Sequence, residues 1–188
     1  MKKKDVREII TTAVSLFLIC AVAAGLLAVV NHVTAPVTAQ NRQASENAAR
    51  AEVLPAAQTF TETTLSDGST GYVGTDETGA VCGYVFTTSA SSYGGKLELM
   101  TGFDKNGVVT GIKILSIEDT PGLGMNAKKE DFLRQYIGSD GVLSVIKNAA
   151  ADKNEIAAIT SATITSKAVT SAVNTARGFY DELTGEAA

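Results

Sequence analysis

The chain has 188 residues, with 16 Lys and Arg against 20 Asp and Glu for a net charge of −4, and 45% of its residues are hydrophobic, enough for one domain with accessories. One histidine and two cysteines leave no ligand set for zinc or an iron–sulfur cluster, so no metal site is expected. The first eight residues hold four basic and two acidic side chains, which leaves −6 on the remainder and excludes nucleic-acid binding by so acidic an exterior domain.

Residues 1–8 read as a cytoplasmic N-terminus and residues 9–30 as a transmembrane helix. Ile9 to Val30 is an uncharged run of 22 residues, and at roughly 1.5 Å per residue it spans a hydrocarbon core of about 30 Å. Lys2, Lys3, Lys4 and Arg7 precede it, which by the positive-inside tendency places the following domain outside the cytoplasm. A cleaved signal peptide uses the same features. The length of the run, the distance to the small-residue site at Val37-Thr38-Ala39, and the bulky Ile19 before Cys20 favour a retained anchor. With Cys20 in the span, no intradomain disulfide is available, and Cys82 is expected to be a buried strand residue. His32 is read as an interfacial residue at the membrane edge.

Residues 31–58 form a juxtamembrane segment: Asn31 to Gln40 is polar around Pro36, and Asn41 to Val53 predicts a helix ending near Pro55. Residues 59–188 are the exterior domain. Thr59 to Gly71 lacks periodicity and reads as a loop. Val81 to Phe86, Leu97 to Phe103 and Val108 to Ile117 carry strand patterns, and Asp104-Lys105-Asn106-Gly107 is a hairpin turn between the last two. A Gly/Pro loop at Thr120 to Gly124 precedes a predicted helix from Lys128 to Ile137. A final helix from about Thr165 to Leu183 places Ala168, Val169, Ala172, Val173, Ala176, Phe179 and Tyr180 on one face. The expected fold is α+β, an antiparallel sheet packed by helices.

Two short segments carry chemistry. Thr160-Ser161-Ala162-Thr163-Ile164-Thr165-Ser166 runs into the last helix, where unpaired backbone N–H groups suit a phosphate. On spacing alone it equally describes an ordinary capped helix. Glu118-Asp119-Thr120-Pro121-Gly122-Leu123-Gly124 follows a strand, and its glycines permit positive φ and close backbone approach, though by itself it is only a strand-ending loop.

The first segment resembles the flavinylation motif of the FMN-binding domain family, Asp-x-x-Ser/Thr-Gly/Ser-Ala-Thr. Thr160, Ser161, Ala162 and Thr163 fill its core. Two positions depart from the usual form: the acid six residues before the acceptor is Ala157 here, with Glu155 nearby, and the usual glycine is Ser161. The second segment is similar to the family's Glu-Thr-Pro-Gly-Leu-Gly signature, with Asp119 in place of the usual Glu. With one N-terminal span, the chain looks like the G subunits of Rnf-type electron-transport complexes.

That resemblance implies FMN joined covalently through its phosphate to Thr163. Thr160, Ser161, Ala162, Thr165 and Ser166 would surround the phosphate, while Thr120, Gly122, Leu123 and Gly124 would line the flavin. Lys167 would either neutralise the phosphate or face solvent. No residue is assigned an acid, base or nucleophile role in turnover. The implied function is electron transfer in a membrane complex coupling ferredoxin and NAD oxidoreduction to Na⁺ or H⁺ translocation. Its implied partners are the rest of the complex, a flavin transferase and the lipid bilayer. The alternatives are a stand-alone anchored FMN carrier and an anchored binding module with no redox role.

Overall fold

The computed structural model describes residues 3–147 and 152–185, with side chains from residue 9 onward. The charges of Lys2, Lys3, Lys4 and Arg7, on which the predicted orientation rests, lie outside the described side chains. The chain divides into two compact units, Met1–Ser45 and Glu46–Ala188.

The first unit is helical. Its helix, α1, runs Lys3–Val53, with Pro36 inside it, so the polar segment 31–40 is helical and continuous with residues 41–53. A proline forfeits one backbone hydrogen bond without ending a helix whose other residues continue it, and Thr38 Oγ1 donates to the Thr34 carbonyl at 3.0 Å beside it. From Ile9 to Val37 the large apolar side chains are exposed on every face, as in Phe17 and Leu27 at 70% each. The helix is long and apolar enough to cross a membrane.

The second unit is built on five antiparallel strands in sequence order: β1 Thr59–Thr64, β2 Thr70–Thr75, β3 Val81–Ser91, β4 Lys96–Asp104 and β5 Val109–Ser116. The loop expected at Thr59 to Gly71 is thus mostly strand, because the Thr and Gly residues of β1 and β2 hide the alternation. Aspartate-led turns connect β2 to β3 and β4 to β5. Asp76 Oδ1 accepts from the Thr78 and Ala80 N–H groups, Asp104 Oδ1 accepts from Asn106 and Val108, and Gly79 and Gly107 take positive φ at +80° and +74°. Cys82 lies in β3 as expected but is half-buried, not buried.

After β5 come a 3₁₀ turn Gly124–Lys128, a four-residue helix α2 Glu130–Leu133 and a second 3₁₀ turn Arg134–Tyr136. The single helix expected over Lys128 to Ile137 is thus broken into short turns. Phe132 and Tyr136 are pulled into the core, where the Tyr136 hydroxyl pairs with Thr170 Oγ1 at 2.9 Å. Two short strands without a sequence signal, β6 Ser144–Ile146 and β7 Glu155–Ala157, pair in parallel. The last helix, α3, spans Thr163–Thr184.

Both faces of the sheet are covered. On one side α3 buries Val169, Ala172, Val173, Ala176 and Tyr180 against Phe86, Leu97, Leu99 and Phe103, with Phe179 only partly buried; Ala168 is buried too. On the other side the end of α1 lies on the sheet: Ala49, Val53 and Leu54 pack with Val85 and Met100. That second contact rests on four glycines. A Cβ on Gly74 or Gly83 would collide with Leu54, and one on Gly102 or Gly111 would collide with the Val53 backbone. Thr110 Oγ1 donates to the Val53 carbonyl at 2.6 Å in the same place. Residues 46–58, which read from sequence as juxtamembrane segment, therefore belong to the compact unit Glu46–Ala188.

Candidate functional site

Three segments distant in sequence meet at one end of the sheet: the β3–β4 turn, the loop after β5, and the start of α3. Asp119 joins them. Its Oδ2 accepts from Ser92 Oγ at 2.5 Å and from Thr165 Oγ1, and its Oδ1 accepts from the Gly94 N–H at 2.6 Å. The residue is 4% exposed. Burial pushes its pKa up, but the hydrogen bonds from Ser92, Thr165 and Gly94 outweigh that and hold it below the usual carboxylate value. It is therefore ionised at neutral pH. Gly124 presses against this group: a Cβ there would stand 2.6 Å from Asp119 Oδ2 and 2.7 Å from Thr165 Oγ1.

Above the carboxylate lies a cleft of ≈ 580 Å³, within the range of ligand pockets. Asp119, Thr120, Leu123 and Gly124 line one wall, Ser161 to Thr165 another, and Tyr93 the rim. Tyr93, Ile164 and Leu123 are exposed at 71%, 56% and 43%. The cleft thus combines apolar side chains with hydroxyls.

The start of α3 is unusual. Its N-cap position is Ala162, at φ −135° and ψ 41°, and no side chain caps the first turn. The ordinary capped helix that the serines and threonines suggest is not formed, and the first N–H groups stay free of side-chain acceptors among the described residues. Ser166 is spent on the turn itself, accepting from the Ile159 N–H at 3.0 Å and donating to the Ala162 carbonyl at 3.1 Å.

Ser161 is the one non-glycine residue with positive φ among the described residues, at +64°. This is the position where the resembled motif usually has glycine. A side chain in the left-handed region costs roughly 1–2 kcal/mol, partly offset because glycine is more flexible when unfolded. Ser161→Gly is therefore expected to stabilise the domain by about 0.5 kcal/mol, raising the thermal midpoint by about 2 °C. A lower midpoint in a melting experiment would show that the Ser161 hydroxyl matters more than the backbone.

The residues singled out from sequence divide clearly. Thr120, Leu123, Gly124, Ser161, Ala162, Thr163 and Thr165 line the cleft. Gly122, Thr160 and Ser166 are not among its lining residues. Gly122 does have positive φ, +77°, but nothing lies within 4 Å of a Cβ there, so the close approach expected of it belongs to Gly124. Lys167 is exposed and lines a different groove, with Leu143 and Val145. Ala157, at the position of the motif's acid, lies in β7, where Gln135 Oε1 accepts from its N–H at 2.8 Å. Sequence reasoning does not assign Ser92, Tyr93, Gly94 or Ile164 to the site. The Ser91-Ser92-Tyr93-Gly94-Gly95 run is the available signal, an aromatic residue set in a turn between strands.

The FMN-binding domain family matches residues 92–178, the stretch that contains all three converging segments, and the RnfG N-terminal region matches residues 1–53. The chain is 36% identical over 198 residues to the G subunit of the Na⁺-translocating ferredoxin:NAD⁺ oxidoreductase complex of Acetobacterium woodii, covering 95% of each chain. The chain belongs to the family of G subunits of ion-translocating oxidoreductase complexes. Another member of that family, the G subunit of the proton-translocating ferredoxin:NAD⁺ oxidoreductase complex of Clostridium ljungdahlii, is 32% identical over 176 residues, covering 93% of each chain.

Among solved structures, the C subunit of the Na⁺-translocating NADH-quinone reductase from Parabacteroides distasonis aligns with TM-score 0.52 and 23% identity, over 61% of this chain and 62% of that one. NqrC from Shewanella oneidensis aligns with TM-score 0.51 and 16% identity, over 66% and 67%. These establish that this G subunit shares the NqrC fold. Its place in the G-subunit family rests on the sequence matches.

Proposed function

We propose that this G subunit carries FMN as a phosphoester on Thr163, outside the cytoplasm, and relays electrons within an Rnf-type complex coupling ferredoxin and NAD oxidoreduction to Na⁺ or H⁺ translocation. As a family member with an FMN-binding domain, it is an electron-transfer component of an ion-translocating oxidoreductase, held by a single membrane-spanning helix. The observation that carries the covalent reading is the uncapped first turn of α3 beside the Thr163 hydroxyl, in a cleft with room for a ligand. Free amides and hydroxyls at a helix N-terminus fit a phosphate, and Leu123, Ile164 and Tyr93 fit a planar apolar ring.

A bound FMN supplies one-electron steps, and the protein's part is to hold and orient it. Thr163 would bear the phosphate, Ser161 and the first N–H groups of α3 would surround it, and Thr120, Leu123 and Gly124 would face the ring. On this reading Thr163 would supply the Oγ that takes the flavin phosphoryl group from a flavin dinucleotide as its P–O–P linkage breaks. The hydroxyl proton goes to a base and the remaining nucleotide departs. Relatives aligned over nearly the whole chain favour membership of a complex over a stand-alone carrier or a non-redox module.

Mass spectrometry of the full-length protein, produced with a flavin transferase, tests this. One FMN phosphoryl mass on the peptide holding Thr163 is expected, and an unmodified chain would overturn the covalent assignment. The exterior placement rests on the basic residues before the span. A cysteine in place of Asp140 should react with an impermeant thiol reagent in intact cells; labelling only after permeabilisation would invert the topology.

A further inference from the structure

The N-terminus of α3 poses a mechanical problem. If its first N–H groups are to remain free for a phosphate, no N-cap side chain can occupy them, yet an uncapped helix start frays. Ala162 leaves them free. Something else must then fix the first turn.

The structure holds that turn from the side. Thr165, 1% exposed and in the first turn, gives its hydroxyl proton to Asp119 instead of bonding backbone. The same carboxylate takes Ser92 Oγ and the Gly94 N–H from the opposite wall. Among the described residues its partners are these three donors and no cation. A buried anion without a cationic partner is expensive unless fully hydrogen-bonded, and near a helix N-terminus the dipole favours it further. Gly124 is packed so tightly on the pair that it admits no side chain.

We propose that Asp119 is a positioning residue for flavin attachment: through Thr165 it fixes the first turn of α3, and with it the Thr163 hydroxyl, while leaving the backbone amides of that turn free for the phosphate. This rests on the reading of Thr163 as the attachment site. Asp119 lines the cleft, but it is 4% exposed and both its oxygens hold these donors, so on this account it bonds neither the phosphate nor the ring. It acts through Thr165 on one side, and through Ser92 and Gly94 it keeps the Tyr93 rim in register on the other.

Thr165→Val and Thr165→Ser separate positioning from simple packing, because valine matches the shape of threonine without the hydroxyl and serine keeps the hydroxyl. The full-length variants are incubated with flavin transferase and flavin adenine dinucleotide. The attachment rate is read by intact mass and the flavin environment by its visible spectrum. Folded Thr165→Val, checked by circular dichroism, is expected to attach flavin roughly ten- to a hundredfold more slowly than the parent. Thr165→Ser should recover most of that loss.

Ser92→Ala removes one donor from a half-buried turn residue, and it is expected to slow attachment severalfold even if Thr165→Val does not fold. Parental rates and an unchanged spectrum in Ser92→Ala together with folded Thr165→Val, or in Ser92→Ala alone if Thr165→Val does not fold, would overturn the positioning role while leaving Thr163 as acceptor intact. A parent chain that gains no flavin, or gains it on another peptide, would instead overturn the attachment reading and this inference with it.

Discussion

Thr163→Ala is expected to abolish covalent flavin entirely, leaving a chain of unmodified mass and no fluorescent band on a denaturing gel. Neighbouring hydroxyls offer little rescue. Thr165 is buried with its proton committed to Asp119, and Ser166 is 0% exposed and committed to the Ala162 carbonyl. Thr160 is exposed but is not among the residues lining the cleft, which leaves Ser161 as the exposed lining hydroxyl on the same segment as Thr163, with Thr120 and Tyr93 on the other walls. Attachment surviving in Thr163→Ala at the parental level would refute the assignment, and peptide mapping would then be expected to find it on Ser161. Because Thr163 is half-buried at the first helical position, alanine there should leave folding intact. The loss is therefore chemical and not structural.

Gly102→Val is expected to destabilise the domain strongly. Any Cβ at this position strikes the Val53 carbonyl oxygen and lies 2.8 Å from both the Val53 carbonyl carbon and Thr110 Oγ1. Relief requires lifting the end of α1, which breaks the Thr110 to Val53 hydrogen bond and exposes Val53 and Leu54, each 1% exposed. Overpacking of this kind costs about 3 kcal/mol, or a fall of about 10 °C in the thermal midpoint. Gly178→Ala is the control: nothing lies within 4 Å of its added Cβ on the exposed face of α3, so it should be neutral or stabilising by up to about 1 kcal/mol. A midpoint for Gly102→Val within a degree or two of the parent would mean that α1 does not rest on this sheet.

Side-chain periodicity explains which elements are legible in the sequence and which are not. Strands β3, β4 and β5 and helix α3 stand out because their apolar residues repeat at periods two and 3.6, as in Leu97, Leu99 or Val169, Val173, Tyr180. β1 and β2 carry threonine and glycine where a reader looks for valine and isoleucine, so they pass for loop. Yet Asp76-Glu77-Thr78-Gly79 repeats the Asp-x-x-Gly pattern of Asp104 to Gly107 and marks the hairpin once that pattern is sought. The broken helix at 124–136 follows from tertiary demand on Phe132 and Tyr136, which local propensity does not record.

In the site, the motif residues are visible because they are contiguous. Asp119 shows in the sequence only as a variant letter, and its partners Ser92 and Gly94 are marked only by the turn run around Tyr93. The hydrogen bonds that give them meaning join positions 25 to 46 residues apart. Ser161 is legible as a departure from a motif, but its positive φ is not.

The burial of Ala49, Val53 and Leu54 also bears on how the exterior part can be obtained as a soluble fragment. A fragment begun at Thr59, where the strands start, would bare Val85, Met100 and four glycine backbones to water, a surface suited to aggregation or to pairing with another copy. The cut that respects the fold falls inside the helix, upstream of Ala49. Pro55 looks like a hinge in the sequence, yet the last turn before it serves as the outer layer of the sheet.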